Sequence, residues 1–134
     1  FPYHIWKKAC ELGFVGIHYP ESCGGQEYGV LENVLVAEAF CRQDSGLGIA
    51  LSHADSTAEM ILRFGTDEQR VTYLTPLCKG KAISSGAFTE PDHGSDIRLV
   101  GTAAVRDGDE YVINGSKMFI SNGPIADFVI VFCP

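Results

Sequence analysis

Ala87-Phe88-Thr89-Glu90-Pro91-Asp92-His93-Gly94-Ser95-Asp96 is the stretch on which the reading of this 134-residue chain turns. It stands at the exit of a β-like run from Ala82 to Phe88. Pro91 removes a backbone donor and fixes φ, and Gly94 allows a turn or a close approach that other residues resist. Thr89 and Ser95, with the free N–H groups of such a turn, form a compact polar edge suited to a flat heterocycle or a phosphate. Composition alone favours a plainer explanation, a surface turn, because Thr, Asp, Gly and Ser are common there anyway. Further along comes Asn114-Gly-Ser-Lys-Met-Phe-Ile-Ser-Asn-Gly123, where turn residues alternate with an aromatic and another hydroxyl.

Upstream of these strings the pattern is helical. After Pro2, Ile5, Ala9 and Leu12 recur at helical spacing until Gly13 stops the run. Phe14 to Gly29 is rich in Gly and Pro and reads as an ordered loop. A second helix is expected from Val30 to Arg42, and a third from Asp44-Ser45 to Phe64. The fourth opens on the capping-box pattern Thr66-Asp67-Glu68-Gln69 and ends at Gly80. Beyond Gly80 the period changes. Ala82–Phe88, Thr102–Arg106, Glu110–Ile113 and Phe128–Phe132 are β-like, with Asp107-Gly108 as a hairpin signal. Helices followed by strands, without alternation, predict an α+β fold with segregated parts and argue against a parallel βαβ sheet. The division falls at residues 1–82, all-α, and 83–134, β. No Gly-x-Gly-x-x-Gly joins a strand to a helix, so a dinucleotide fingerprint is missing.

A net charge of −7 argues against nucleic acid or an anionic membrane surface as partner. No apolar run approaches the roughly 20 residues of a spanning helix, and no signal-peptide pattern is read. Cysteines at 10, 23, 41, 78 and 133 and histidines at 4, 18, 53 and 93 are scattered. No metal site or disulfide framework is expected of them, and the cysteines read as buried thiols in a reducing compartment.

Together these strings resemble the acyl-CoA dehydrogenase family. Its flavin loop is matched without a gap by Thr89, Glu90, Pro91, Gly94, Ser95 and Asp96. A second element is matched by Asn114, Gly115, Lys117, Phe119, Ile120, Ser121 and Asn122. The helical part adds Leu12-Gly13-Phe14, Pro20, Gly24-Gly25 and Arg63-Phe64-Gly65-Thr66-Asp67-Glu68-Gln69. The resemblance implies an N-terminal helical domain, here truncated at its start, followed by an incomplete antiparallel β-barrel. The C-terminal helical bundle would be absent. It implies FAD as cofactor, an acyl-CoA substrate, α,β-dehydrogenation with hydride passing to flavin N5, and an electron-transferring flavoprotein as acceptor. A homotetramer is implied as well, in the bacterial cytoplasm or the mitochondrial matrix.

By the same resemblance Gly86, Ala87, Phe88 and Thr89 lie along the flavin, with Gly94 and Ser95 in the adjoining turn. Ser95 would also lie near the acyl-CoA. Phe119 would pack on the isoalloxazine where the family often has tryptophan, which keeps a stacking ring but loses an indole donor. Ile120 follows it, and the Ser121 hydroxyl would reach N5. Without the resemblance, Phe119 reads as a core aromatic and Ser121 as a solvated turn residue. Gly48, Ser52 and Ser56 recur at i, i+4 on the third helix. They serve either close helix packing or room for an acyl chain, which makes Gly48 and Ser52 candidate substrate residues. No residue here is expected to be the catalytic base, which the family takes from its C-terminal domain, and Glu90 is assigned to the architecture of its loop. Two other readings stay open: a truncated, non-catalytic scaffold or binding module, and a flavin oxidase or monooxygenase of the same fold.

Overall fold

The computed structural model describes residues 1–133. Its helical half begins with α1 (Tyr3–Glu11), which turns Trp6, Ala9 and Cys10 inward. The loop that follows carries a short 3-10 turn, Glu21–Cys23, and is pinned to the next layer by one residue. Asp55 accepts the Gly16 N–H through its carboxylate (2.9 Å) and the Tyr19 hydroxyl through its carbonyl (2.7 Å). Tyr19 is thereby fully buried beside Trp6, Leu74 and Leu77. Burying an apolar side chain of that size stabilises by about 1.5–3 kcal/mol, so this cluster is the main core of the described chain. Cys10 and Cys78 sit in it, and burial, first of all, pushes both thiols up to about 12.

Helix α2 (Val30–Gln43) packs along α3 (Ser45–Ser56), and Asp44 caps α3 by accepting the Leu47 N–H at 2.8 Å. The third helix is shorter than its apolar pattern predicts. It stops at Ser56, and α4 (Glu59–Phe64) begins anew. The cause is local competition for backbone acceptors. Ser84 donates its hydroxyl to the Ala54 carbonyl at 2.9 Å, and Thr57 pairs its hydroxyl with Ser84 at the same distance. The Ala58 N–H turns instead to Asp55 O, an i→i+3 bond, which tightens the chain and ends the α-helix. Helix α5 (Asp67–Cys78) opens on the expected capping box: Thr66 Oγ1 accepts the Gln69 N–H, and Gln69 Oε1 accepts the Thr66 N–H.

Among the described residues the β half is two separate two-stranded ladders, which corrects the expectation of one antiparallel sheet. Strands β2 (Ala103–Asp107) and β3 (Glu110–Asn114) form an antiparallel hairpin. Its two-residue loop is Gly108–Asp109, one position later than the turn signal, because Gly108 takes the positive φ of 62° that a primed turn needs. Strands β1 (Ser84–Ala87) and β4 (Phe128–Val131) pair in parallel, Ser84 opposite Phe128. Asp127 starts that ladder: its carboxylate accepts the Ile83 N–H and its own N–H donates to Ile83 O, both at 2.9 Å. The crossover is the β2–β3 hairpin with its flanking loops, which serves where a helix usually does.

Gly48 sets the spacing of α2 and α3. A Cβ there would lie 2.6 Å from Cys41 N and 2.7 Å from Cys41 Cα. Gly48→Ala gains about 1 kcal/mol of helix propensity, but overpacking costs about 1–3 kcal/mol, more when backbone has to move. The substitution should therefore lower the urea midpoint, and a raised midpoint would show that the two helices have slack at this crossing.

Candidate functional site

The end of β1, the end of α3 and the 119–121 turn enclose a cleft of about 240 Å³. Its lining brings together six of the residues singled out from sequence: Gly86, Phe88, Thr89, Phe119, Ile120 and Ser121. Three more come from the last turn of α3 and its C-cap, His53, Ser56 and Thr57. Ser56 was singled out only with the small face of the third helix, and His53 and Thr57 were missed because periodicity carried that helix straight past them. The available signal was Asp55-Ser56-Thr57, small polar residues that compete with helical hydrogen bonds. A larger open groove of about 580 Å³ lies between α1 and residues 79–83. It holds none of the motif residues, so the smaller cleft is the better candidate.

Phe119 distinguishes the cleft physically. Its φ is +58°, in the left-handed region, and its side chain is 86% exposed. A bulky aromatic in that conformation is a genuine outlier, and strain of this kind persists only where surrounding bonds over-determine it. Those bonds are present on both sides. Upstream, the Met118 N–H donates to Thr89 O at 2.9 Å, and Lys117 Nζ donates to Phe88 O at 3.1 Å. Downstream, Ser85 Oγ donates to Ser121 O at 2.6 Å, and Asn122 Nδ2 to Ala50 O at 3.4 Å. The turn thus offers an unpacked ring on a fixed backbone, flanked by the hydroxyls of Thr89 and Ser121. Neither hydroxyl has a partner among the described residues. His53 Nδ1 faces Ile49 O at 3.2 Å, and since a carbonyl only accepts, Nδ1 is the donor of that bond.

Glu90 stands behind the cleft with a side chain 8% exposed. Its Oε1 accepts from Lys117 Nζ (2.8 Å) and the Thr102 N–H (2.9 Å), and its Oε2 from the Gly101 N–H (2.7 Å). The Lys117 ammonium, foremost, and these backbone donors hold its carboxyl down at about 2. Such a group accepts protons poorly and has no free face for a ligand.

Other expected residues lie elsewhere. Ala87 is buried within β1, and Gly94 and Ser95 are exposed on the loop beyond the Glu90–His93 turn. Gly48 and Ser52 face α2. Gly48 is taken up by Cys41, and Ser52 lines a narrow crevice with Phe14, Phe40 and Asp55. Among the described residues there is no group of three or more His, Cys, Asp or Glu that could hold a metal, and no helix is long and apolar enough to cross a membrane.

Comparison with known proteins bears on this geometry. Residues 1–81 match the family model described as acyl-CoA dehydrogenase, N-terminal domain, and residues 85–134 the one described as acyl-CoA dehydrogenase, middle domain. Over 133 residues the chain is 40% identical to the short-chain-specific acyl-CoA dehydrogenase of Clostridium acetobutylicum, a match covering 98% of this chain and 35% of that protein. It superposes on a Mycobacterium smegmatis glutaryl-CoA dehydrogenase solved with FADH2 at a TM-score of 0.91 and 33% identity, covering 99% of this chain and 34% of that one. With the prolyl acyl carrier protein oxidase AnaB the TM-score is 0.90 and the identity 40%, covering 99% and 36%. The chain spans about a third of the length of the curated relatives it matches.

Two expectations follow from the site's energetics. Phe119→Gly relieves a left-handed conformation that costs an L-residue about 1–2 kcal/mol, against about 0.5–1 kcal/mol for glycine's greater unfolded freedom. An exposed ring gives up little packing, so denaturant stability should be unchanged or raised by up to about 1 kcal/mol. A clear loss of stability would mean the ring is structural.

The second expectation concerns pH. Glu90 is depressed from 4.5 to about 2, so its contribution is complete above 4.5 and is lost as pH falls toward 2. Asp55 has the opposite sign. Burial, chiefly, raises it from 3.8 to about 6, so its contribution is complete below 3.8 and is lost as pH rises through 6. Glu90→Gln should flatten the acid limb of urea midpoint against pH, and Asp55→Asn the limb between 3.8 and 6. Unaltered limbs would remove those residues as the titrating groups.

Proposed function

Given that the chain belongs to the acyl-CoA dehydrogenase family, we propose that it forms the helical domain and first middle-domain strands of an FAD-dependent acyl-CoA dehydrogenase. The observation that carries the reading is Phe119, an exposed aromatic held at positive φ between two unpartnered hydroxyls. That arrangement suits a flat conjugated ring: Phe119 stacks on one face, and Thr89 and Ser121 supply hydrogen bonds at its edge. When bound, FAD would supply the acceptor for the hydride leaving the β-carbon of the acyl thioester.

In this reading the chain's residues orient and stabilise. Ser121 would aim its hydroxyl at N5, where charge develops, and its backbone is already fixed by Ser85. Thr89 would hold the pyrimidine end. By the family resemblance the α-proton would go to a carboxylate of the C-terminal domain, and Glu90, committed on both oxygens, is not free to take it. Gly94 and Ser95 would meet the cofactor's ribityl-phosphate side and the acyl-CoA only through contacts beyond the cleft. An electron-transferring flavoprotein as acceptor and a homotetrameric assembly complete the proposal, both on the strength of the family.

A second reading, an oxidase in which oxygen reoxidises the flavin, is favoured by the similarity to the prolyl acyl carrier protein oxidase AnaB. Reoxidation rates of the substrate-reduced protein in air, with and without an electron-transferring flavoprotein, separate the two.

In the complete enzyme, Ser121→Ala should slow flavin reduction by acyl-CoA more than Thr89→Ala. Losing one donor aimed at developing charge costs about 2.7–4 kcal/mol where such a donor has been measured. Stopped-flow rates unchanged in Ser121→Ala would take Ser121 out of the site. A complete protein that binds no FAD would refute the dehydrogenase and oxidase readings together.

A further inference from the structure

We propose that Lys117 is a positioning residue for the flavin-facing wall: it bridges the Phe88 carbonyl and the Glu90 carboxylate, and so holds the Phe119–Ser121 turn in register with the end of β1. The inference rests on the flavin reading above and extends it to a residue that touches no ligand itself.

The bridge joins two segments 27 residues apart through side chains that are only 10% and 8% exposed. A buried ion pair of this kind rarely outperforms an apolar pair of similar volume in stability, so stability alone does not account for it. Its placement does. Lys117 lies two residues before Phe119, and its ammonium reaches Phe88 O while the next N–H, that of Met118, reaches Thr89 O. Those two bonds form the upstream support of a residue held at a φ of +58°. Ser85 and Asn122 form the downstream support. Without Lys117 the upstream side hangs on the Met118 bond alone, and the strained turn is free to relax.

Glu90 completes the device. Its carboxylate neutralises the ammonium and is itself held by the Gly101 and Thr102 N–H groups. The loop leading into β2 is thereby part of the same support.

The test uses the complete protein as wild type, Lys117→Met, Glu90→Gln and the double variant. Each single change strands a buried charge and should lower the urea midpoint, whereas the double change removes both charges and should recover most of it. FAD affinity, read by quenching of flavin fluorescence, should fall by about tenfold in Lys117→Met, the scale of one lost hydrogen bond. It should stay low in the double variant, with an altered visible band of the bound flavin. In flavin-free protein, hydrogen exchange of the Met118 amide, whose N–H is held by Thr89 O, should be faster in the double variant than in wild type. A double variant that regains stability, FAD affinity and wild-type exchange overturns the proposal and leaves the pair a structural one. If wild type binds no FAD, the flavin reading fails on its own account. The exchange measurement still decides whether Lys117 holds the turn, and unchanged exchange overturns it.

Discussion

The carboxylate of Glu90 is the point on which the β half of the molecule depends. Two segments distant in the chain converge on it: the entry to β2, through the Gly101 and Thr102 N–H groups, and the strand-to-turn passage, through the Lys117 ammonium. Each supplies a donor, and a buried carboxylate needs several to compensate for its lost hydration. The cleft owes its outline to this requirement. Neither ladder, with two strands each, is extensive enough to fix distant loops on its own. The ionic hub does what a larger sheet would otherwise do.

A second, smaller hub joins the helical half to the cleft. Ser84 takes the Ala54 carbonyl out of the helical ladder, and Thr57 follows it. His53 and Ser56 line the cleft from α3 itself, and at the break Thr57 meets Ser84 of β1. A continuous helix would have carried Thr57 onward along the helix surface. The same hydroxyl network therefore ends a helix and builds a wall.

Much of this was legible in the sequence, and the remainder failed for identifiable reasons. Capping at Thr66, the helix over residues 30–43 and the positions of all four strands follow from local chemistry, which a short window captures. The α3–α4 break and the parallel pairing of β1 with β4 depend on partners far away in sequence, Ser84 for one and Asp127 for the other. Periodicity has no access to such partners. In the cleft, the motif strings located the Thr89 and Phe119–Ser121 walls. They were silent on the α3 wall because His53 and Thr57 belong to no string. Gly94 and Ser95 belong to the string but not to the cleft: adjacency in a motif is adjacency along the chain, and the turn at Glu90–His93 carries them away.

The parallel β1–β4 ladder has a consequence for how the molecule is assembled. Its first contact closes a loop of 44 residues, and the entropy of that closure must be met before any rung of the ladder offsets it. The helices, by contrast, are built from near neighbours and order themselves early. Their joint core needs a longer closure still, since Cys10 of α1 meets the Leu77 carbonyl of α5 across 67 residues. Val105, Tyr111 and Ile113 of the hairpin stay exposed after the β1–β4 closure, so the ladder shelters none of that face. A substitution that removes the Asp127 carboxylate therefore takes away the contact that opens this ladder.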